Sequence, residues 1–127
     1  MNRKIKVITW LESAVEEKDL ETALRENLYE CLICKNRIEL EELITLNHHS
    51  IGLLIIDSKI KGVDVPLLCR DLKRNHFLDA HLMVIGQMND SNTEIVMYEH
   101  GADFFIHRPL RIMLLIKRID AVMSRKS

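Results

Sequence analysis

Residues that loosen or cross-link a chain are both scarce here. Two prolines and four glycines among 127 residues leave little room for long flexible linkers. Three cysteines, an odd number, argue against a disulfide framework. Net charge is nearly absent: 18 Lys and Arg stand against 19 Asp and Glu, for a formal charge of −1. That balance gives no global attraction to nucleic acid or to an anionic membrane, so neither is expected as a direct partner. No apolar run reaches the ~18 residues of a membrane-spanning helix. The start, Met1-Asn2-Arg3-Lys4-Ile5-Lys6, lacks the apolar core of a signal peptide, so the expected location is cytoplasmic. What is present is 47% hydrophobic and 29% charged residues, the composition of a packed core with a solvated surface. The length suits one domain, residues 1–127.

Cys31 and Cys34 have the Cys-x-x-Cys spacing of redox and zinc sites. Redox motifs of this kind sit at a helix start, where the dipole lowers a thiol pKa. Here the surrounding Tyr29-Glu30-Cys31-Leu32-Ile33-Cys34 reads as a strand, on which residues three apart face opposite sides. No second Cys-x-x-Cys follows to complete a zinc site. The thiols therefore read as buried structural groups, and no metal centre is expected from them.

Periodicity along the chain alternates between strand and helix. Ile5 to Thr9 is a first strand. Glu12 to Leu28 is helical, with Ala14, Val15, Ala23, Leu24 and Leu28 on one face and Glu16, Glu17, Lys18 and Asp19 facing water. Tyr29 to Cys34 is the second strand, and Asn36 caps a helix carrying Ile38, Leu40, Leu43, Ile44 and Leu46. Ile51 to Asp57 is the third strand, nearly continuous in apolar residues as a central parallel strand requires. Pro66 suits a first helical turn, with Leu67, Leu68, Leu72 and Phe77 as the apolar face. Ala80 to Ile85 is a fourth strand closed by Gly86. Asn89, Asp90 or Ser91 caps a helix that stops at Gly101. Asp103 to His107 is a fifth strand, and Pro109 opens a last helix with Leu110, Met113, Leu114, Ile116, Ile119 and Val122 inward. The basic Arg125-Lys126 suits the negative end of that helix. Five strands alternating with five helices predict a doubly wound, flavodoxin-like α/β fold of order 2-1-3-4-5. Asp57 then ends the third strand beside the switch in strand order, where such folds place their chemistry.

The run Gly52-Leu53-Leu54-Ile55-Ile56-Asp57, then Lys61-Gly62-Val63-Asp64, then Gly101-Ala102-Asp103-Phe104-Phe105-Ile106-His107-Arg108-Pro109-Leu110 resembles the response-regulator receiver domain over residues 4 to 124. The resemblance implies that Asp57 stands at the phosphoacceptor position. It also implies a pair of acids after the first strand to hold Mg²⁺, a hydroxyl ending the fourth strand, a lysine before the last proline and an aromatic switch on the fifth strand. Here those positions hold Thr9 and Trp10, Gly86, Arg108 and Phe105. Glu12 is the nearest acid to the missing pair. Trp10 is expected to fill space left by metal and water, and Arg108 to neutralise Asp57. The expectation is an atypical receiver acting as an interaction module, not an enzyme, without a cofactor and without ordinary phosphorylation.

The alternative is a conventional receiver phosphorylated on Asp57 by a histidine kinase, with Mg²⁺ and a winged-helix output domain beyond this chain. A partner protein or a second copy is expected on the fourth helix, fifth strand and fifth helix. The resemblance places Asp103 and Arg118 in inter-subunit ion pairs there. His107, beside Arg108, reads as a surface histidine or a pH-sensing one. A flavin or other phosphate-bearing ligand is disfavoured, because Thr9-Trp10-Leu11-Glu12-Ser13 is poor in the Gly, Ser and Thr that cradle phosphate.

Overall fold

The structure, a computed structural model, describes residues 4–74 and 80–124. The elements alternate along the chain: β1 (Lys6–Trp10), α1 (Ala14–Glu26), β2 (Glu30–Ile33), α2 (Arg37–Leu46), β3 (Ile51–Asp57), α3 (Val65–Arg74), β4 (His81–Gly86), α4 (Ser91–Glu99), β5 (Phe104–His107) and α5 (Ile112–Ser124). The strands form one sheet in the order β2-β1-β3-β4-β5, all pairings parallel. This is the flavodoxin-like topology that the alternation predicts. Every residue of β3 is buried, and each Leu or Ile there contributes roughly 1.5–3 kcal/mol. No helix among the described residues is long and apolar enough to cross a membrane.

The sheet separates two apolar layers. Ile8, Trp10, Leu54, Ile56, Val84 and Phe105 belong to the layer with α2, α3 and α4. Val7, Leu53, Ile55, Met83 and Ile85 belong to the layer with α1 and α5. Cys34 and Cys31 fall in the first and second layer respectively, as strand alternation requires. Burial raises all three thiol pKa values, to about 12 for Cys34 and Cys69, so the Cys-x-x-Cys spacing carries no thiolate.

Helix starts follow local chemistry. Ser13, Asn36 and Asp90 each accept the backbone N–H three residues on, and Asp64 accepts that of Leu67. Gly101 leaves α4 at φ +103°, a conformation glycine adopts without strain. Four helix faces differ from expectation: Ile38 and Leu46 of α2 and Leu67 of α3 are exposed, and α1 and α5 differ as well. In α1, Val15 and Leu28 are exposed while Glu17 is buried with Leu20, Ala23 and Leu24. The last helix begins three residues later than expected, and Leu115, not Met113 or Leu114, joins Ile116, Ile119 and Val122 inside. The proline marks the turn before α5, so the inward stripe is phased from Ile112. Phe77, Arg125 and Lys126 lie outside the described residues.

Candidate functional site

Asp57 is the last residue of β3, delivered to the sheet's C-terminal edge between β1 and β4. Its residue exposure is 2%. Oδ2 accepts the backbone N–H of Glu12 at 3.2 Å and Arg108 Nη2 at 2.8 Å. Oδ1 accepts the backbone N–H of Lys59 at 3.3 Å. A buried carboxylate is costly unless its charge is paired and hydrogen-bonded, and Asp57 has both.

Arg108 enters the same space from the end of β5. Nε and Nη2 hold both Glu16 carboxylate oxygens, at 3.0 and 2.9 Å for the shorter contacts. The second Nη2 hydrogen serves Asp57. Nη1 donates to the carbonyls of Ile85 and Gly86, each at 3.3 Å. A guanidinium has five N–H donors, and each of these five has an acceptor. Burial works against its charge, but the Glu16 and Asp57 contacts outweigh that and raise its pKa. The guanidinium is permanently charged and fully committed.

Glu16 was expected in water, and its role at the site corrects that reading. It stands three residues after the Ser13 cap, a Ser-x-x-Glu spacing whose glutamate ordinarily turns back to the cap. Here the backbone N–H of Glu16 bonds Ser13 Oγ, while its carboxylate reaches across to Arg108. The spacing was legible, but the partner 92 residues away was not. Glu17 is also turned inward, taking the N–H of Leu11 at 3.1 Å and pairing with Lys35.

The remaining positions fall in three places. Thr9 is buried with its hydroxyl against Cys31 Sγ at 3.8 Å, toward β2. Trp10 is buried in the α2–α4 layer with Cys34, Ile56, Ile60 and Phe105. The Phe105 ring, in the same layer, occupies the side-chain space of Gly86. A Cβ added to Gly86 would meet Phe105 Cζ at 2.0 Å. The glycine thus makes room for the aromatic ring, which is 6% exposed. His107 packs edge-on against Phe105, with ring centroids 5.0 Å apart, and reaches Glu94 at 2.7 Å and the Gln87 carbonyl at 3.2 Å.

Asp103 and Arg118 are not brought together as a pair within the chain. Asp103 Oδ2 accepts Lys73 Nζ at 2.9 Å and the Leu82 N–H at 2.8 Å. Arg118 lies exposed on α5, in the wall of a ≈270 Å³ cleft with His107 and Arg111.

The donor set does not fit the Mg²⁺ that the receiver resemblance implies. Such an ion needs several oxygen ligands in octahedral order. Asp57 brings one carboxylate, already facing a guanidinium. Glu12 meets Asp57 through its backbone N–H, while its carboxylate accepts the Lys61 N–H at 3.0 Å. Glu16 is held by Arg108. Among the described residues no group of three or more His, Cys, Asp or Glu is placed to hold a metal ion.

No protein-family model matches the chain. Solved structures do. A response regulator from Thermotoga maritima is 24% identical, with TM-score 0.79 over 96% of this chain and 99% of that one. A putative response regulator from Chloroflexus aurantiacus is 19% identical, with TM-score 0.85 over 96% and 99%. A Francisella response-regulator receiver domain is 18% identical, with TM-score 0.83 over 98% and 100%. Among curated proteins, the regulatory protein VanRB of Enterococcus faecalis is 23% identical over 73 residues, 58% of this chain. The chain spans about a third of the length of that relative, the matched part being 32% of it. These likenesses give the chain the fold of response-regulator receiver domains.

Proposed function

We propose that this chain is a receiver-fold signalling module that binds protein partners without Mg²⁺-dependent phosphorylation of Asp57. The observation that carries the reading is the closed donor set of Arg108, all five N–H groups of which are held by Glu16, Asp57 and two carbonyls. A phosphoryl group on Asp57 would carry further negative charge into a site with no uncommitted guanidinium donor and no fitting metal cage. Phosphoryl transfer relies on such positioned cations for most of its acceleration. The module is read as non-enzymatic, cofactor-free and cytoplasmic. Its working surface is the α4–β5–α5 face, toward another protein or a second copy of the chain.

The test is incubation with Mg²⁺ and acetyl phosphate, followed by intact-mass measurement. The expected outcome is unmodified protein. A stoichiometric adduct of about 80 Da, one phosphoryl group, that disappears in Asp57→Asn would overturn the reading. It would favour a conventional receiver served by a histidine kinase, with regulated output elsewhere.

A further inference from the structure

A cavity of ≈530 Å³ lies at the C-terminal edge of the sheet, between α1 and the chain that follows β4 and β5. Glu16 and Asp19 line it from α1, Met88 from the turn after β4, and Arg108, Leu110 and Ile112 from the stretch joining β5 to α5. The hydrogen-bonding capacity of these walls is one-sided. Arg108 is the cation among them, and its five N–H groups are all engaged by Glu16, Asp57 and two carbonyls. An incoming anion therefore finds no free guanidinium donor, and Gln87 adds only a neutral amide.

The acids keep acceptor capacity. Glu16 Oε2 takes only the Arg108 Nε–H, at 3.0 Å, and retains a lone pair. Asp19 is exposed and makes no ion pair or side-chain hydrogen bond among the described residues. With Asp57 on the other side of the guanidinium, three carboxylates share one cation, so the charge that completes the site is positive. Residues three apart on a helix are surface neighbours, so one ammonium can bridge Glu16 and Asp19.

The remaining wall is apolar. Leu110 and Ile112 are half-buried against the α1–α5 layer. Met88 is 65% exposed, a flexible thioether able to adapt to an apolar ligand. A metal ion does not suit the set. Two carboxylates, one held by arginine, fall short of the roughly six oxygens a hard cation needs, and no metal-binding group occurs among the described residues. A protein surface suits it poorly as well. Stable protein interfaces draw on ~20–30 residues a side, whereas this volume lies within the roughly 300–1,000 Å³ of small-ligand sites.

We propose that this cavity binds a small amphipathic organic cation, its protonated amine between Glu16 and Asp19 and its apolar body on Met88, Leu110 and Ile112. Because Glu16 also holds Arg108, an ammonium there competes for the carboxylate that anchors the partner of Asp57. The cavity thus gives the module a chemical input. This goes beyond the interaction-module reading and stands on the cavity itself, whether or not Asp57 is phosphorylated.

The experiment titrates the ¹⁵N-labelled chain with hexylammonium near neutral pH and at constant ionic strength. Hexanoate, with the opposite charge, and methylammonium, without the apolar body, are the controls. The expected result is saturable shifts at Glu16, Asp19, Met88, Leu110 and Ile112 with hexylammonium, weaker shifts there with methylammonium and none with hexanoate. Asp19→Asn, a near-isosteric change at an exposed position, should weaken hexylammonium binding about tenfold. Met88→Ser should weaken it too, while leaving the methylammonium response as in the parent. Both are surface changes, and a parent-like spectrum without ligand shows that the fold is kept. Equal shifts with hexanoate, shifts centred elsewhere, or binding unchanged in both variants would overturn the proposal. So would the absence of saturation by about 10 mM, an affinity too low for a built site. A lysine-bearing peptide that saturates these residues where hexylammonium does not would assign the acids to a protein partner, and the proposal would fall.

Discussion

Arg108 and Arg118 are ten residues apart, carry the same charge and stand in opposite situations. Arg108 is buried to 15% side-chain exposure and bonds two carboxylates and two carbonyls. Arg118 is exposed and bonds none of the described side chains. One guanidinium has every donor engaged and the other faces solvent. Burial makes the difference: a charge taken out of water must be completely satisfied, whereas an exposed charge is solvated until a partner arrives. One fold can therefore hold an arginine in closed contacts at the strand ends and leave another exposed on α5.

The comparison breaks most visibly if Arg108 is removed. Arg108→Ala leaves Asp57 and Glu16 unpaired beside each other and is expected to cost about 3 kcal/mol in urea unfolding. In an Asp57→Asn background the same change should cost less by about 1 kcal/mol, since one stranded charge is gone. Equal costs in the two backgrounds would mean that the Asp57 carboxylate is not coupled to Arg108.

The next effect is expected at Gly86. A methyl there would occupy the position of the Phe105 ring, so Gly86→Ala should destabilise by about 1–3 kcal/mol. Adding Phe105→Leu should recover part of that loss, because the smaller side chain frees the space. If Gly86→Ala is neutral and the Phe105 resonances do not move, the ring is not held by that space.

A smaller, pH-dependent effect is expected at His107. Both ring nitrogens face acceptors, the Glu94 carboxylate and the Gln87 carbonyl, and only an imidazolium donates to both. The Glu94 hydrogen bond, then the Gln87 carbonyl, raises its pKa above the ordinary 6.5. Asp90 adds to this from the start of α4. Arg111 and Arg118 line the cleft on the α5 side. A folded-state pKa above the unfolded one gives stability that is complete below about pH 6.5. That stability is lost as pH rises through the folded value. Hydrogen exchange at the α4 start should therefore quicken with pH beyond the intrinsic rate in the native protein and less so in Glu94→Gln. Identical profiles would remove the clasp from the account. The smallest effect is expected at Arg118→Ala, within about 0.5 kcal/mol of the parent, which would separate recognition from stability.

Much of the fold was legible because its signals are local. Seven successive residues from Ile51 to Asp57 can be buried on both faces only in a central strand, and Asn36 and Asp90 announce their helices with side-chain oxygens. The site was legible in part. Asp57 and Arg108 were recognisable by their places relative to Gly101 and Pro109, but Glu16 was not. Amphipathic spacing assigns a glutamate in a helix's first turn to water, and the counter-signal is an arginine at the other end of the chain.

The sequence by itself determined the alternation of elements, the parallel sheet and the delivery of Asp57 to its edge, because period and capping act between near neighbours. Only the tertiary structure decided that Glu16 and Asp57 share one guanidinium, that Phe105 takes the side-chain space of Gly86, and that Asp103 is spent on Lys73 while Arg118 is left open. Those outcomes depend on which distant groups meet inside a desolvated space, and desolvation is a property of the assembled fold.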